Sequence, residues 1–186
     1  MAAVLAVLGI VAAVVLWGVA IYNRLIRLRN MKEEGWSGID VQLKRRSNLI
    51  PNLIESVKGY MGHERSLLEK VTELRARSAD AASVGDRIAA ESALTASLGR
   101  LFAVAENYPD LKANTTFLEL QQQLAEVEDQ IQMARRYYNG TVRNLNVAVE
   151  TFPNSIVASM FHFEKAEFFE IEDEADRAVP KVDFGG

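Results

Sequence analysis

The chain has 186 residues, a net charge of −4, two histidines and no cysteine. The missing cysteine removes disulfides, thiol nucleophiles and cysteine metal sites, and the acidic balance does not point to nucleic acid as a partner. Beyond an apolar leader, about 160 residues remain, enough for one domain with a real core.

The first 22 residues, Met1 to Tyr22, carry no charged side chain. As a helix that run reaches ~33 Å, against ~30 Å of hydrocarbon in a bilayer. Bases follow it, at Arg24, Arg27, Arg29 and Lys32. The positive-inside rule therefore keeps the following segment cytoplasmic and the short amino terminus outside. These four bases are the candidate lipid-facing residues, each worth ~1 kcal/mol near an anionic leaflet. Trp17 and Tyr22 stand where an interfacial aromatic belt falls. The alternative is a cleaved signal releasing an extracytoplasmic binding domain, but a signal carries its basic residues before a shorter apolar core. Small residues recur at Ala2, Ala6, Gly9 and Ala13, a spacing that permits self-association between spans.

After the span the apolar spacing is helical throughout, with no useful strand alternation. One row reads Trp36, Leu43, Ile50, Val57, Glu64, Val71, and its companion Ile39, Arg46, Leu53, Tyr60, Leu67, Leu74. This heptad, coiled-coil-like stripe predicts a long first helix over 23–82, protruding from the bundle and interrupted only by the polar Arg46 and Glu64. Pro51 lies within it and predicts a kink, or a fresh helix capped by Ser47 or Asn48. A second helix is expected from about Asp86 to Asn107, ended by Tyr108-Pro109 after a turn at Gly85. A third begins at the capping-box spacing of Thr116 and Glu119 and runs through Phe117, Leu120, Leu124, Val127, Ile131, Tyr138 and Leu145 to about Thr151. Gly140 within it predicts close packing against a neighbouring helix. A short helix follows from Asn154 or Ser155, and Phe163, Phe168, Phe169 and Ile171 are expected to dock on the bundle. The fold class is all-α: a transmembrane helix over 1–22, an antiparallel three- to four-helix cytoplasmic bundle over 23–178, and a loose tail over 179–186.

Charge is unevenly placed. Residues 23–46 hold seven bases against three acids, and residues 164–183 hold eight acids against three bases. Lys44-Arg45-Arg46 forms a short basic cluster whose plain reading is a solvated helix face. Neither His63 nor His162 follows a Glu at the spacing a helical di-iron bundle needs. No phosphate loop or hydrolase elbow is present. The carboxylates Glu119, Glu126, Glu128 and Asp129 fall mostly off the apolar stripe, toward solvent. Arg46 and Glu64 form a candidate polar layer, each pairing across the bundle or lying at its exposed edge.

Three segments resemble the LemA family: YNRLIRLRNMKEEGWSGIDVQLKRRSNLIPNLIESVKGYMGHE (Tyr22 to Glu64), ENYPDLKANTTFLELQQQLAEVEDQIQMARRYYNGTVRNLNVAVETFP (Glu106 to Pro153) and FHFEKAEFF (Phe161 to Phe169). Leu145-Asn146 departs from a family pattern that tends to Tyr-Asn. The resemblance implies a bacterial single-pass inner-membrane protein with a cytoplasmic helical domain and no settled activity. It supplies no catalytic residue. No cofactor or metal is expected. The expected partners are membrane lipid, a protein not identified by the sequence, and a second copy through the anchor or bundle. The leading reading is a scaffold or interaction module; its rival is an enzyme with a site of acids, Arg46 and tyrosines inside the bundle.

Overall fold

The computed structural model describes residues 1–169, and no strand occurs among them. The helices are α1 (Ala2–Lys58), α2 (Arg65–Ala79), α3 (Val84–Ala105), α4 (Pro109–Lys112), α5 (Thr115–Glu150) and α6 (Asn154–Met160). The fold is all-α, with a long apolar amino-terminal helix and a helical bundle, as its periodicity predicts. The chain divides into two compact units: 1–56 with 114–168, and 57–113 with Phe169. The tail expected at 179–186, Ile171 and most of the acidic stretch lie outside the described residues.

In the first unit, α1 and α5 run antiparallel. Trp36 meets Tyr138 edge-on at 5.6 Å between ring centroids, while Arg46, ten residues on, meets Glu128, ten residues back. Ile39, Leu43 and Ile131 are buried in the interval. Nearer the apolar segment, Ile21 and Leu25 of α1 form one buried cluster with Ala148 of α5 and Ala158 of α6. The α5 stripe buries Leu120, Leu124, Val127, Ile131 and Leu145 at the steps of three and four that put side chains on one helix face.

The second unit is built on a helical hairpin. Leu68, Val71 and Leu74 of α2 and Leu94, Leu98 and Leu101 of α3 are buried, and Ser78 donates a buried hydrogen bond to Glu91. Ser83 caps α3 by accepting from the Asp86 backbone N–H at 3.0 Å.

Several boundaries differ from expectation. α1 passes through Pro51 and ends at Lys58. Pro51 is exposed while Ile50 and Leu53 beside it are fully buried, so packing on the inner face holds the helix across a missing N–H on the outer one. The break comes instead at 59–64, where two glycines, Gly59 and Gly62, each disfavour helix by about 1 kcal/mol. The long stripe is thus carried by two helices, with Met61 buried and Tyr60 exposed. Gly85 lies inside the first turn of α3 rather than in a turn before it. Asn114, not Thr116, caps α5, accepting from the Phe117 N–H at 3.0 Å.

α6 ends in a left-handed cap. His162 has φ 54°, and the Phe163 N–H reaches back to the Ala158 carbonyl at 2.9 Å, the bond pattern that satisfies carbonyls at a helix end.

Candidate functional site

The α1–α5 seam carries a polar cluster at one level and an aromatic, basic groove at another. Arg46 is buried on the α1 stripe and donates from Nη1 to Glu128 Oε2 at 2.6 Å. Its side chain is 3% exposed and that of Glu128 32%. Gln132 donates to the same carboxylate at 3.3 Å and accepts from Arg135 at 3.2 Å. Burial holds the Arg135 guanidinium below the usual arginine range; Glu128 opposes that fall and Arg46 adds to it. Two guanidiniums around one carboxylate therefore share a half-buried site, an arrangement that fixes register between two helices.

Tyr138 lies one level nearer the apolar segment. Its hydroxyl donates to the Glu167 carbonyl at 2.9 Å, and burial, with Glu167 adding, pushes it above the usual tyrosine range. Asn146 brackets the following segment from both sides: Nδ2 donates to the Ala166 carbonyl at 3.0 Å and Oδ1 accepts the Ala166 N–H at 2.8 Å. These bonds lay the segment after α6 back along α5, and Phe169 ends buried. The docking expected of the aromatic segment is present as far as Phe169.

At the end of the seam nearest the apolar segment, Tyr22 packs on Phe161 at 4.7 Å and on Phe163 at 5.8 Å. The Arg29 guanidinium lies over the Phe163 ring at 5.6 Å. Beside this cluster opens a groove of about 420 Å³ lined by Arg24, Leu28, Arg143, Asn144, Val147, Ala148, Thr151 and Asn154. Arg24 and Arg143 are exposed, and no ion pair engages either among the described residues. The nearby Glu150 is taken by Lys165 at 2.6 Å.

Of the four candidate lipid-facing bases, Arg24 and Arg29 join this end of the seam, Arg27 is exposed on α1 and Lys32 is half-buried. The candidate layer of Arg46 and Glu64 is divided between the two units. Arg46 pairs with Glu128, one of the acids expected in solvent, whereas Glu64 stands at the amino-terminal boundary of α2 without a side-chain capping bond. Lys44 and Arg45 are exposed, so the Lys44-Arg45-Arg46 run is not one surface. No group of three metal-ligating side chains occurs among the described residues.

A β-carbon added at Gly140 would meet no neighbouring atom within 4 Å, but one on Gly35 would stand 3.2 Å from the Tyr138 Cα. The close approach therefore belongs to α1, not to Gly140. Sequence reasoning missed three further residues. Glu91 stands three and seven residues before Leu94 and Leu98, a spacing that places it on the buried face. Asn146 and Arg143 give no local signal, because their partners come from other segments.

Comparison with known proteins gives one consistent result. The model of the LemA family matches residues 35–184. Magnetosome protein MamQ 2 of Paramagnetospirillum magneticum is 24% identical over 184 residues, covering 85% of this chain and 68% of the relative. Magnetosome protein MamQ of Magnetospirillum gryphiswaldense matches to the same extent, 24% over 184 residues. Protein LemA of Metamycoplasma hominis is 26% identical over 152 residues, covering 81% of this chain and 69% of the relative.

Proposed function

Since this chain belongs to the LemA family, we propose that it is a single-pass inner-membrane scaffold that holds a cytoplasmic helical surface for a protein partner. One observation carries the reading: α1 runs unbroken from Ala2 to Lys58. Nearly every side chain of residues 2–20 is exposed and apolar, whereas from Ile21 onward the same helix is packed. An exposed apolar helix of that length is stable in lipid and costly in water. A continuous helix couples the two environments without a hinge. α3 is also apolar enough to cross a membrane, but its Glu91 is committed to Ser78 of α2, which fits a packed hairpin better than a span.

The bases that follow the span favour a cytoplasmic bundle. In this reading the chain works by joining surfaces, not by catalysis. The test is a pair of reporter fusions after Gly186, one active only in the cytoplasm and one only outside it, with affinity purification of the full chain in mild detergent. Cytoplasmic activity with a recovered protein partner or a second copy is expected. Mature protein in the aqueous fraction, trimmed near Tyr22, overturns the anchor; the absence of any partner and of self-assembly overturns the scaffold.

A further inference from the structure

We propose that the groove between α1 and α5 seats the phosphate of an anionic membrane lipid, with the elbow from α5 to α6 lodged in the boundary between headgroups and acyl chains. The inference rests on the anchor reading above and adds a site to it.

Height along α1 is the first argument. Because α5 runs antiparallel to α1, its carboxyl end approaches the apolar segment as its residue numbers rise. Ala148 already shares a cluster with Ile21 and Leu25, α5 ends just beyond it at Glu150, and Phe152 follows in the turn that leads into α6. The elbow therefore lies level with the end of the span. Its large exposed side chains are mostly apolar, with Phe152 75%, Met160 67%, Ile156 55% and Phe161 52% exposed, beside the exposed polar Thr151, Ser159 and His162. Contact with the anchor is continuous, since Phe161 packs on Tyr22 at 4.7 Å. An aromatic and aliphatic rim at that height suits the layer where amphipathic rings gather.

Charge is the second argument. Arg24 and Arg143 reach one groove of about 420 Å³ from two helices. Neither has an ion-pair partner among the described residues, and Glu150 is already held by Lys165. Two guanidiniums and the Asn144 amide present donors to an anion with several acceptor oxygens; the Thr151 hydroxyl already donates to the Val147 carbonyl at 2.6 Å. Leu28, Val147 and Ala148 line the remainder, and Val147 is 56% exposed, a wall suited to the glycerol and first methylenes of a lipid. A phosphate diester carrying acyl chains fits both halves of the site; a free phosphate fits only one.

The experiment uses the full chain. It has no cysteine, so Phe152→Cys and, as a control on exposed α5, Gln130→Cys each accept one nitroxide label. In phosphatidylglycerol–phosphatidylcholine vesicles the label at 152 should be shielded from a water-soluble nickel chelate and reached by oxygen, and the label at 130 the reverse. Equal chelate access at both positions overturns the elbow. Native mass spectrometry of the detergent-extracted chain then counts retained phosphatidylglycerol. Arg24→Gln with Arg143→Gln should lower its retention over phosphatidylcholine by about fivefold per charge, with circular dichroism unchanged, and Arg143→Lys should restore part of it. Retention unaffected by the double variant, or abolished by inorganic phosphate, overturns the lipid seat. Both variants leave Met1–Tyr22 intact, so alkaline carbonate extraction of wild type reports on the anchor alone.

Discussion

Gly35 and Gly38 stand one turn apart on α1 and should respond oppositely to the same methyl group. Replacing a helical glycine by alanine gains about 1 kcal/mol of backbone entropy and solvation at either position. Gly38 is exposed with nothing within 4 Å of the added carbon, so Gly38→Ala should stabilise by roughly that amount. At Gly35 the carbon would stand 3.2 Å from the Tyr138 Cα and 3.4 Å from both Thr141 Oγ1 and Tyr137 Cδ1. The nearest of these is α5 backbone, which cannot rotate aside, so α1 and α5 must separate. Overpacking of this kind costs about 1–3 kcal/mol, and since the propensity gain is common to both variants, that range is also their expected difference. For a chain of this size about 1 kcal/mol corresponds to ~2–4 °C in Tm. Near-ultraviolet circular dichroism of the full chain in mild detergent reads the transition through Trp36, which packs on Tyr138. Gly35→Ala should melt at least that far below Gly38→Ala. Equal melting temperatures would refute a tight α1–α5 seam at this level.

Glu128→Ala removes the 2.6 Å ion pair that spans α1 and α5 and should cost about 1–3 kcal/mol in denaturant titration; Glu119→Ala, on an exposed position, should cost little, and equal midpoints would argue against the pair's role. Asn146→Ala removes both hydrogen bonds to Ala166, so trypsin should cut at Lys165 faster than in wild type, with an unchanged rate counting against the strap. Tyr138 has a raised folded-state pKa, so its contribution is complete below the unfolded value of about 10 and is lost as pH rises through the folded one. Stability should thus fall on the alkaline side, and Tyr138→Phe should flatten that fall; identical alkaline profiles would remove Tyr138 as the cause.

Much of the fold was legible in the residues. The charge-free run of 22 residues, the stripe from Phe117 to Ala148 and the short helix from Asn154 to Met160 are local patterns, and helix formation depends mainly on side chains within four positions of one another. Proline and glycine were less decisive. Pro51 reads as a break but sits on an exposed face of a helix held by its buried side, while Gly59 and Gly62 end it. Local propensity ranks such positions; packing chooses among them.

The candidate site was mostly illegible for a related reason. Arg46 and Glu128 are 82 residues apart, and Arg24 and Arg143 are brought together only by the antiparallel register of α1 and α5. Gly140 and Gly35 show the same division, since either could mark a close approach and only the pairing of helices says which does. Helical periodicity repeats every 3.6 residues and specifies which face of each helix is buried. It carries no term for how far one helix slides along another. That offset is set by shape and charge matching between residues distant in the chain, so the sequence alone determined the buried helix faces and the apolar leading segment, and tertiary packing decided where the long stripe breaks and which polar groups meet.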